Sequence, residues 1–331
     1  MRRNQRNPAW AKPSAFASAQ TFDYKYFKRY YGRTIMQPLP VLPSPVLSPP
    51  SGKASSARVE SSEGALFEIQ SQARYVFTPG EFATRTGRVP DSNALKMALQ
   101  RLARQGRITL AIKRPAHWLI VPPEQAAYGA PPVEWWLHDC LETIEPNYYV
   151  ALLSAARHWG SAHYALQATQ VMVGKPRLPI KVGKLQVDFH TKKNIAKTPT
   201  TLARNKVARI RVSTREATLL DLIRFQASIG GIEAVCRIAK DFSKDMTAAG
   251  MVEALGALDQ VYAAQRLGFI LDQLGLAKLS NTLFTWLKGR RLSNQPLAPL
   301  SADEQVPEFT SSRWHIRYTP MQEAIFQEMK C

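Results

Sequence analysis

The stretch from Arg74 to Val121, with the helix just before it, constrains this chain most, because helix starts, stops and turns follow one another there with little slack. Ala65–Ala73 sets Leu66, Ile69 and Ala73 at helical spacing, so one apolar stripe can face a core. Thr78-Pro79 is a hydroxyl cap followed by proline at the first helical position, and Gly87 closes the short helix that follows. Val89-Pro90-Asp91 is a turn, and a third helix is expected from Ser92 to Gln105, stopped by Gly106. Arg107–Ile112 and His117–Val121 read as two strands joined by the basic turn Lys113-Arg114-Pro115-Ala116. Helix, helix, basic helix and hairpin, in that order, predict a winged helix-turn-helix.

The third helix has two faces. Leu95, Ala98, Leu99 and Leu102 follow the 3.6-residue period and are expected to pack inward. Asn93, Lys96, Met97, Gln100 and Arg104 project from the other side, with Arg101 on the flank. Asn and Gln can bond bidentately to adenine and Arg or Lys to guanine, so Asn93, Gln100 and Arg104 are candidates for base edges. Lys96, Arg101, Lys113 and Arg114 are candidates for phosphate. The bland reading is an ordinary solvated helix face and a solubilising turn.

Charge agrees with a polyanionic partner: the 331 residues carry a formal net charge of +19 and a pI near 10.0. Residues 1 to 62 form a basic extension, with the proline-dense run Pro38–Pro50 and a Ser/Ala-rich continuation that can hardly pack. Its aromatics Phe22, Tyr24, Tyr26, Phe27, Tyr30 and Tyr31 alternate with Lys25, Lys28, Arg29 and Arg33, a pattern able to stack on single-stranded nucleic acid, although a disordered extension is the simpler expectation. Ten basic and two acidic residues lie between 1 and 60, so the remainder is still clearly basic.

Three widely spaced cysteines, Cys140, Cys236 and Cys331, argue against a disulfide framework or a structural zinc site and point to the reducing cytoplasm. No apolar run approaches the length of a membrane span. The organisation expected is a DNA-binding unit at 63–122, a Pro-bounded linker at Pro122–Pro132, a second domain at 133–290 and a tail at 291–331.

In the second domain, Val133–Cys140 is expected to be helical. Asn147–Trp159 reads as a strong helix capped by Asn147, and Ala162–Leu166 as a short one. Gln170–Val173, Ile180–Val182, Leu185–Phe189 and Val207–Val212 read as strands of a small sheet. Ser213–Glu216 reads as a capping box opening the helix Ala217–Phe225. Further helices are expected at Ile232–Lys240, Thr247–Ala257, Asp259–Leu274 and Thr282–Leu287. The fold class is α+β: an N-terminal winged helix-turn-helix, then a mixed α/β domain ending in a helical bundle.

Four segments in this domain resemble one known family in order. Tyr148–Ala155 (YYVALLSA) with His158-Trp159-Gly160, and Val212–Ile223 (VSTREATLLDLI), are similar to motifs of the AbiEi-family antitoxins. Gly230-Gly231 and Arg266–Leu271 (RLGFIL) match two further features. The resemblance covers about residues 66–288. It implies the antitoxin half of a two-gene toxin–antitoxin module of phage defence. Its N-terminal domain would repress its own operon at an inverted repeat, and its C-terminal domain would counteract a nucleotidyltransferase-like toxin. Trp159 departs from the pattern, at a position expected to be small or polar, as does the basic N-terminal extension. Monomers or a weak dimer would occupy the repeat. The alternative is a winged helix that binds protein without specific DNA binding.

Candidates for toxin neutralisation are Glu216 and Asp221, the acids of the central motif, and Arg157 and His158 around a helix end. Each has a plainer reading. Glu216 completes the capping box, Asp221 can pair with Arg224 three residues on, and Arg157, His158 and His163 suit a packed polar cluster. Lys192, Lys193, Lys197, Arg204, Lys206 and Arg209 form a basic stretch, equally suited to nucleic acid or to solvent.

No enzyme is expected. Asp188, His190 and Lys192 lie at a strand end, but a metal-dependent nuclease wants a further nearby carboxylate. His138, Asp139 and Cys140 are adjacent helical positions that point apart. No phosphate loop, metal site or other cofactor motif occurs.

Overall fold

A computed structural model describes residues 60–161, 163, 165–204, 209–258, 260–298 and 309–330. Among them, helices and three sheets form a mixed α+β fold. The extension at 1–59 and its aromatic–basic interleaving lie outside the described residues.

Helix α1 (Ser62–Ser71) begins where the Ser61 hydroxyl accepts the Gly64 N–H, three residues before the start read from periodicity. Strand β1 (Val76–Phe77) leads to α2 (Pro79–Arg85), capped by Thr78 with proline at its first position, as the sequence predicts. Helix α3 (Asn93–Arg104) is capped by the Ser92 hydroxyl and followed by Gly106 at φ +70, a left-handed position suited to glycine. Strands β2 (Ile108–Lys113) and β3 (Ala116–Ile120) form the hairpin, and β1 adds to β3, giving the antiparallel order β1-β3-β2. The three helices and this sheet close over Leu66, Ile69, Phe77, Phe82, Leu99 and Leu102. Each such side chain contributes roughly 1.5–3 kcal/mol of burial.

The segment read as a linker is packed. Ala130 is fully buried, the Trp136 indole N–H donates to the Pro131 carbonyl at 3.1 Å, and the Lys184 N–H donates to the Tyr128 carbonyl at 2.8 Å. Gly183, at φ +57, lies so close to that carbonyl that a Cβ would collide with it. Tyr75 stacks against Trp135 at 4.7 Å, and Val76 and Leu119 of the small sheet share a core with Leu137, Val150 and Val212. Two prolines at each end mark turns, but the apolar residues between them have a surface to bury against.

After α4 (Leu137–Leu141) comes the main departure from the expected elements. Tyr149–Val150 is a strand, β4, and only Leu152–His158 is helical, as α5. A short apolar run suits either state. Here β4 pairs antiparallel with β5 (Thr169–Val173) and parallel with β9 (Arg209–Ser213), and Leu152 at φ +53 turns the chain from strand to helix. With β6 (Ile180–Val182), β7 (Leu185–Thr191) and β8 (Thr200–Arg204), the sheet runs β6-β7-β5-β4-β9-β8. Of the expected helix at 162–166, residues 162 and 164 lie outside the described set, and the others are not helical.

Side chains alternate across this sheet. Val150, Val171, Val173 and Val212 face the core shared with α4, whereas Tyr149 and Met172 face the helical side. The helical layer is α6 (Arg215–Arg224), α7 (Gly231–Phe242), α8 (Ala248–Leu258), α9 (Val261–Gln273) and α10 (Ala277–Leu287). Ending the domain at 290 is too early. Strands β10 (Gln295–Pro296), β11 (Phe309–Ser311) and β12 (Ile316–Tyr318) form a third sheet, followed by α11 (Pro320–Lys330). Leu297, Trp314, Ile316 and Phe326 are buried in the same core as α6–α10. Trp314 lies against the bare backbone of Gly268 in α9, where a Cβ would collide with its ring. The indole N–H donates to Asp272 at 3.0 Å, and Gln265 donates to the Trp314 carbonyl at 2.9 Å.

Candidate functional site

On α3 the inward stripe Leu95, Ala98, Leu99 and Leu102 is buried, and Asn93, Gln100, Arg101 and Arg104 are exposed. Lys96 is half-buried and Met97 is 60% exposed in the middle of the outer face. Lys113 and Arg114 are exposed at the hairpin turn. Several neighbouring cations are tied to carboxylates or hydroxyls of the helices. Arg74 and Arg85 bind Glu81, Arg88 donates to Ser62, and Arg107 meets Glu63 at 3.0 Å. The outer face of α3 therefore presents amides and guanidinium groups without an acid in the helix itself.

The acids of the central motif are internal. Asp221 is fully buried, accepting the Tyr149 hydroxyl at 2.7 Å and the Lys192 ammonium at 2.8 Å. Lys192 is itself 2% exposed and also donates to the Tyr149 oxygen at 3.2 Å. Burial, reinforced by the Asp221 charge, holds the Tyr149 hydroxyl protonated well above the ordinary tyrosine range. The expected Asp221–Arg224 pair does not form: Arg224 lies over the Phe225 ring, 5.4 Å from its centroid. Pairs three residues apart belong to solvated helix faces, and Glu216–Ile223 of α6 is buried throughout.

The capping box is also replaced. Thr214 caps α6 by accepting the Ala217 N–H at 3.3 Å, and Ser213 bonds to Thr218. Glu216 turns away to accept the Thr247 N–H at 2.8 Å, just before α8. A carboxylate there complements the helix dipole and ties α6 to α8.

Arg157 and His158 are exposed on the last turn of α5, so the structure does not gather the four neutralisation candidates into one site. Desolvation, opposed by Glu134 and helped by Arg215, lowers the His158 pKa. Trp159 is accommodated as a bridge: its N–H donates to the Ser213 carbonyl at 2.7 Å, and Arg215 covers its ring at 4.5 Å. His163 pairs with Asp241 at 2.8 Å, and that carboxylate also accepts the Ser161 hydroxyl.

The remaining titratable groups are structural in their contacts. Cys140 is buried, which pushes its thiol far above the ordinary range, and His138 bonds to the Tyr148 hydroxyl at 2.9 Å. Asp188 accepts the Gln186 amide and His190 sets its ring edge on Phe225, while Lys192 is committed to Asp221. Of the basic stretch, Lys193, Lys197, Arg204 and Arg209 are exposed, whereas Lys206 lies outside the described residues. Among the described residues no three His, Cys, Asp or Glu side chains converge as a metal ion would need. No helix among them is long and apolar enough to cross a membrane.

Residues 149–273 match the family model of the AbiEi antitoxin C-terminal domain. No curated protein matches the chain. A crystal structure of the RV2827C protein from Mycobacterium tuberculosis is similar, with a TM-score of 0.58 and 18% identity over 80% of this chain and 92% of that one, a likeness of fold. The matched segment runs from β4 through α9 and so includes Tyr149, Lys192, Glu216, Asp221 and Gly268. Residues 149–273 are thus similar to the AbiEi antitoxin C-terminal domain, a likeness that supports an antitoxin role.

Proposed function

We propose that this protein is the antitoxin of a two-gene module and also represses the module's own promoter. Residues 63–122 act as a winged helix-turn-helix, and 133–290, extended by the packed C-terminal segment, act as the antitoxin domain. The observation that carries the DNA reading is the outer face of α3, where Asn93, Gln100 and Arg104 are exposed without an acid in the helix. A groove of negative potential suits that face, and Lys113 and Arg114 at the hairpin turn suit phosphate. Two copies on an inverted repeat, as monomers or a weak dimer, would read two half-sites. The toxin it counteracts is nucleotidyltransferase-like, and the antitoxin itself performs no chemistry.

Arg104→Ala tests the reading. Loss of a bidentate base contact costs about 1–3 kcal/mol and relaxes preference at one base position. Equal weakening on every DNA sequence would reassign Arg104 to phosphate. Met97, apolar and exposed in the same face, favours a protein partner instead. That second reading predicts that Met97→Ala disrupts a protein complex and leaves DNA affinity unchanged.

A further inference from the structure

Where residues 125–134 cross the six-stranded sheet, a solvent-open cavity of about 560 Å³ remains. That volume lies within the range of small-ligand sites. Its aliphatic lining is partly exposed at Leu166 and Leu185, above the buried Val150 of β4 and Val212 of β9. Arg157 and His158 stand on one wall, from the last turn of α5. Gln125 and Gln167 bring amides from two different segments, and Glu134 faces the same space.

The backbone that brings Arg157 there is strained. Leu152 is fully buried at φ +53, between β4 and α5, a left-handed conformation that a residue with a Cβ rarely adopts. Among the described residues Arg157 has no ion-pair partner. With its pKa lowered, His158 offers a neutral ring at pH 7 rather than a second cation.

We propose that this cavity binds a mononucleotide. A planar base suits the partly exposed Leu166 and Leu185, and the Gln125 and Gln167 amides, each both donor and acceptor, suit the base edge. Arg157 supplies the charge-assisted bonds a phosphate wants. Glu134 limits the negative charge the cavity tolerates, favouring a monophosphate over a triphosphate. A fatty acid would leave both amides unused, and a free sugar would leave Leu166 and Leu185 unused. The site is independent of operator binding, and neither stands or falls with the other.

The test is thermal melting and calorimetric titration of the whole chain with AMP, GMP, CMP and UMP in turn, and with inorganic phosphate. One nucleotide is expected to saturate and to raise Tm by about 5 °C at a hundredfold excess over its Kd. Arg157→Ala is expected to weaken it about ten- to hundredfold, and Gln167→Ala to change the ranking among bases. Arg291→Ala, an exposed cation that does not line the cavity, is expected to bind as the parent does. No saturable nucleotide at millimolar concentration would overturn the proposal, as would undiminished binding by Arg157→Ala. Equal affinity for inorganic phosphate would overturn it too, reducing the site to an anion site.

Discussion

Removing one member of the Tyr149–Lys192–Asp221 cluster should destabilise the protein far more than removing two. Lys192→Met keeps most of the aliphatic stem but deletes the ammonium, leaving Asp221 fully buried with the Tyr149 hydroxyl at 2.7 Å as its remaining side-chain donor. An uncompensated buried charge costs about 3–5 kcal/mol. With a urea m-value of about 3 kcal/mol/M, the unfolding midpoint falls by roughly 1–1.7 M. Adding Asp221→Asn removes the orphaned charge while its amide oxygen still accepts the Tyr149 hydroxyl. The double variant should therefore recover about 2 kcal/mol or more of that loss, since buried pairs contribute little net stability against neutral replacements. Urea unfolding followed by circular dichroism at pH 7 gives all four corners of the cycle. A single-variant loss below about 1 kcal/mol, or a double variant no better than the single, would refute the argument that Asp221 is held as a buried, lysine-compensated anion.

Other expectations follow from the same contacts. Gly268→Ala should lower stability by about 3 kcal/mol, because the methyl collides with Trp314; a urea midpoint equal to the parent's would show that the ring moves freely. Alkaline pH should destabilise. Burial raises the pKa of Cys140, Cys236, Tyr148 and Tyr149, that of Cys236 to about 12. The unfolded chain then releases these protons first, from ordinary values of 9.0 for Cys and 10.0 for Tyr. The stabilisation is intact below pH 9 and is lost as pH rises, by about 1.4 kcal/mol per unit for each group in its window. Urea midpoints that stay level from pH 8 to about pH 11 would contradict this. Glu216→Ala should cost about 1–2 kcal/mol by leaving the Thr247 N–H without its carboxylate, the Thr247 hydroxyl still capping α8 at Gly250, yet leave toxin neutralisation in co-expressing cells unchanged when the protein remains folded. Loss of neutralisation by a folded Glu216→Gln would place that carboxylate at the toxin after all.

The N-terminal elements were legible because their boundaries are local: Thr78 with Pro79, Ser92 and Gly106 act on their own neighbours. So was the solvent face of α3, since periodicity alone assigns it. Strands β1 and β4 were not, for two residues carry no period, and only pairing with β3, β5 and β9 defines them. The partners of Glu216 and Asp221 are not legible from near neighbours, which suggest only a capping box and an Asp221–Arg224 pair. Their partners stand at Thr247, Lys192 and Tyr149, which only tertiary packing brings close. Trp314 likewise needs Gly268, and nothing in residues 291–331 alone announces a core. The cavity beside Arg157 depends on the strained turn at Leu152, which a helix reading of Asn147–Trp159 conceals.

Operator recognition is tested most directly by binding of the whole chain to the DNA just upstream of its own gene, across a salt series and against scrambled competitor. Competitor-resistant protection of an inverted repeat is expected, weakened in Arg104→Ala with preference relaxed at one base position, and affinity falling steeply as salt rises. Binding that scrambled DNA abolishes would contradict it, leaving the basic surface as a non-specific polyanion contact and the antitoxin domain without its proposed reader.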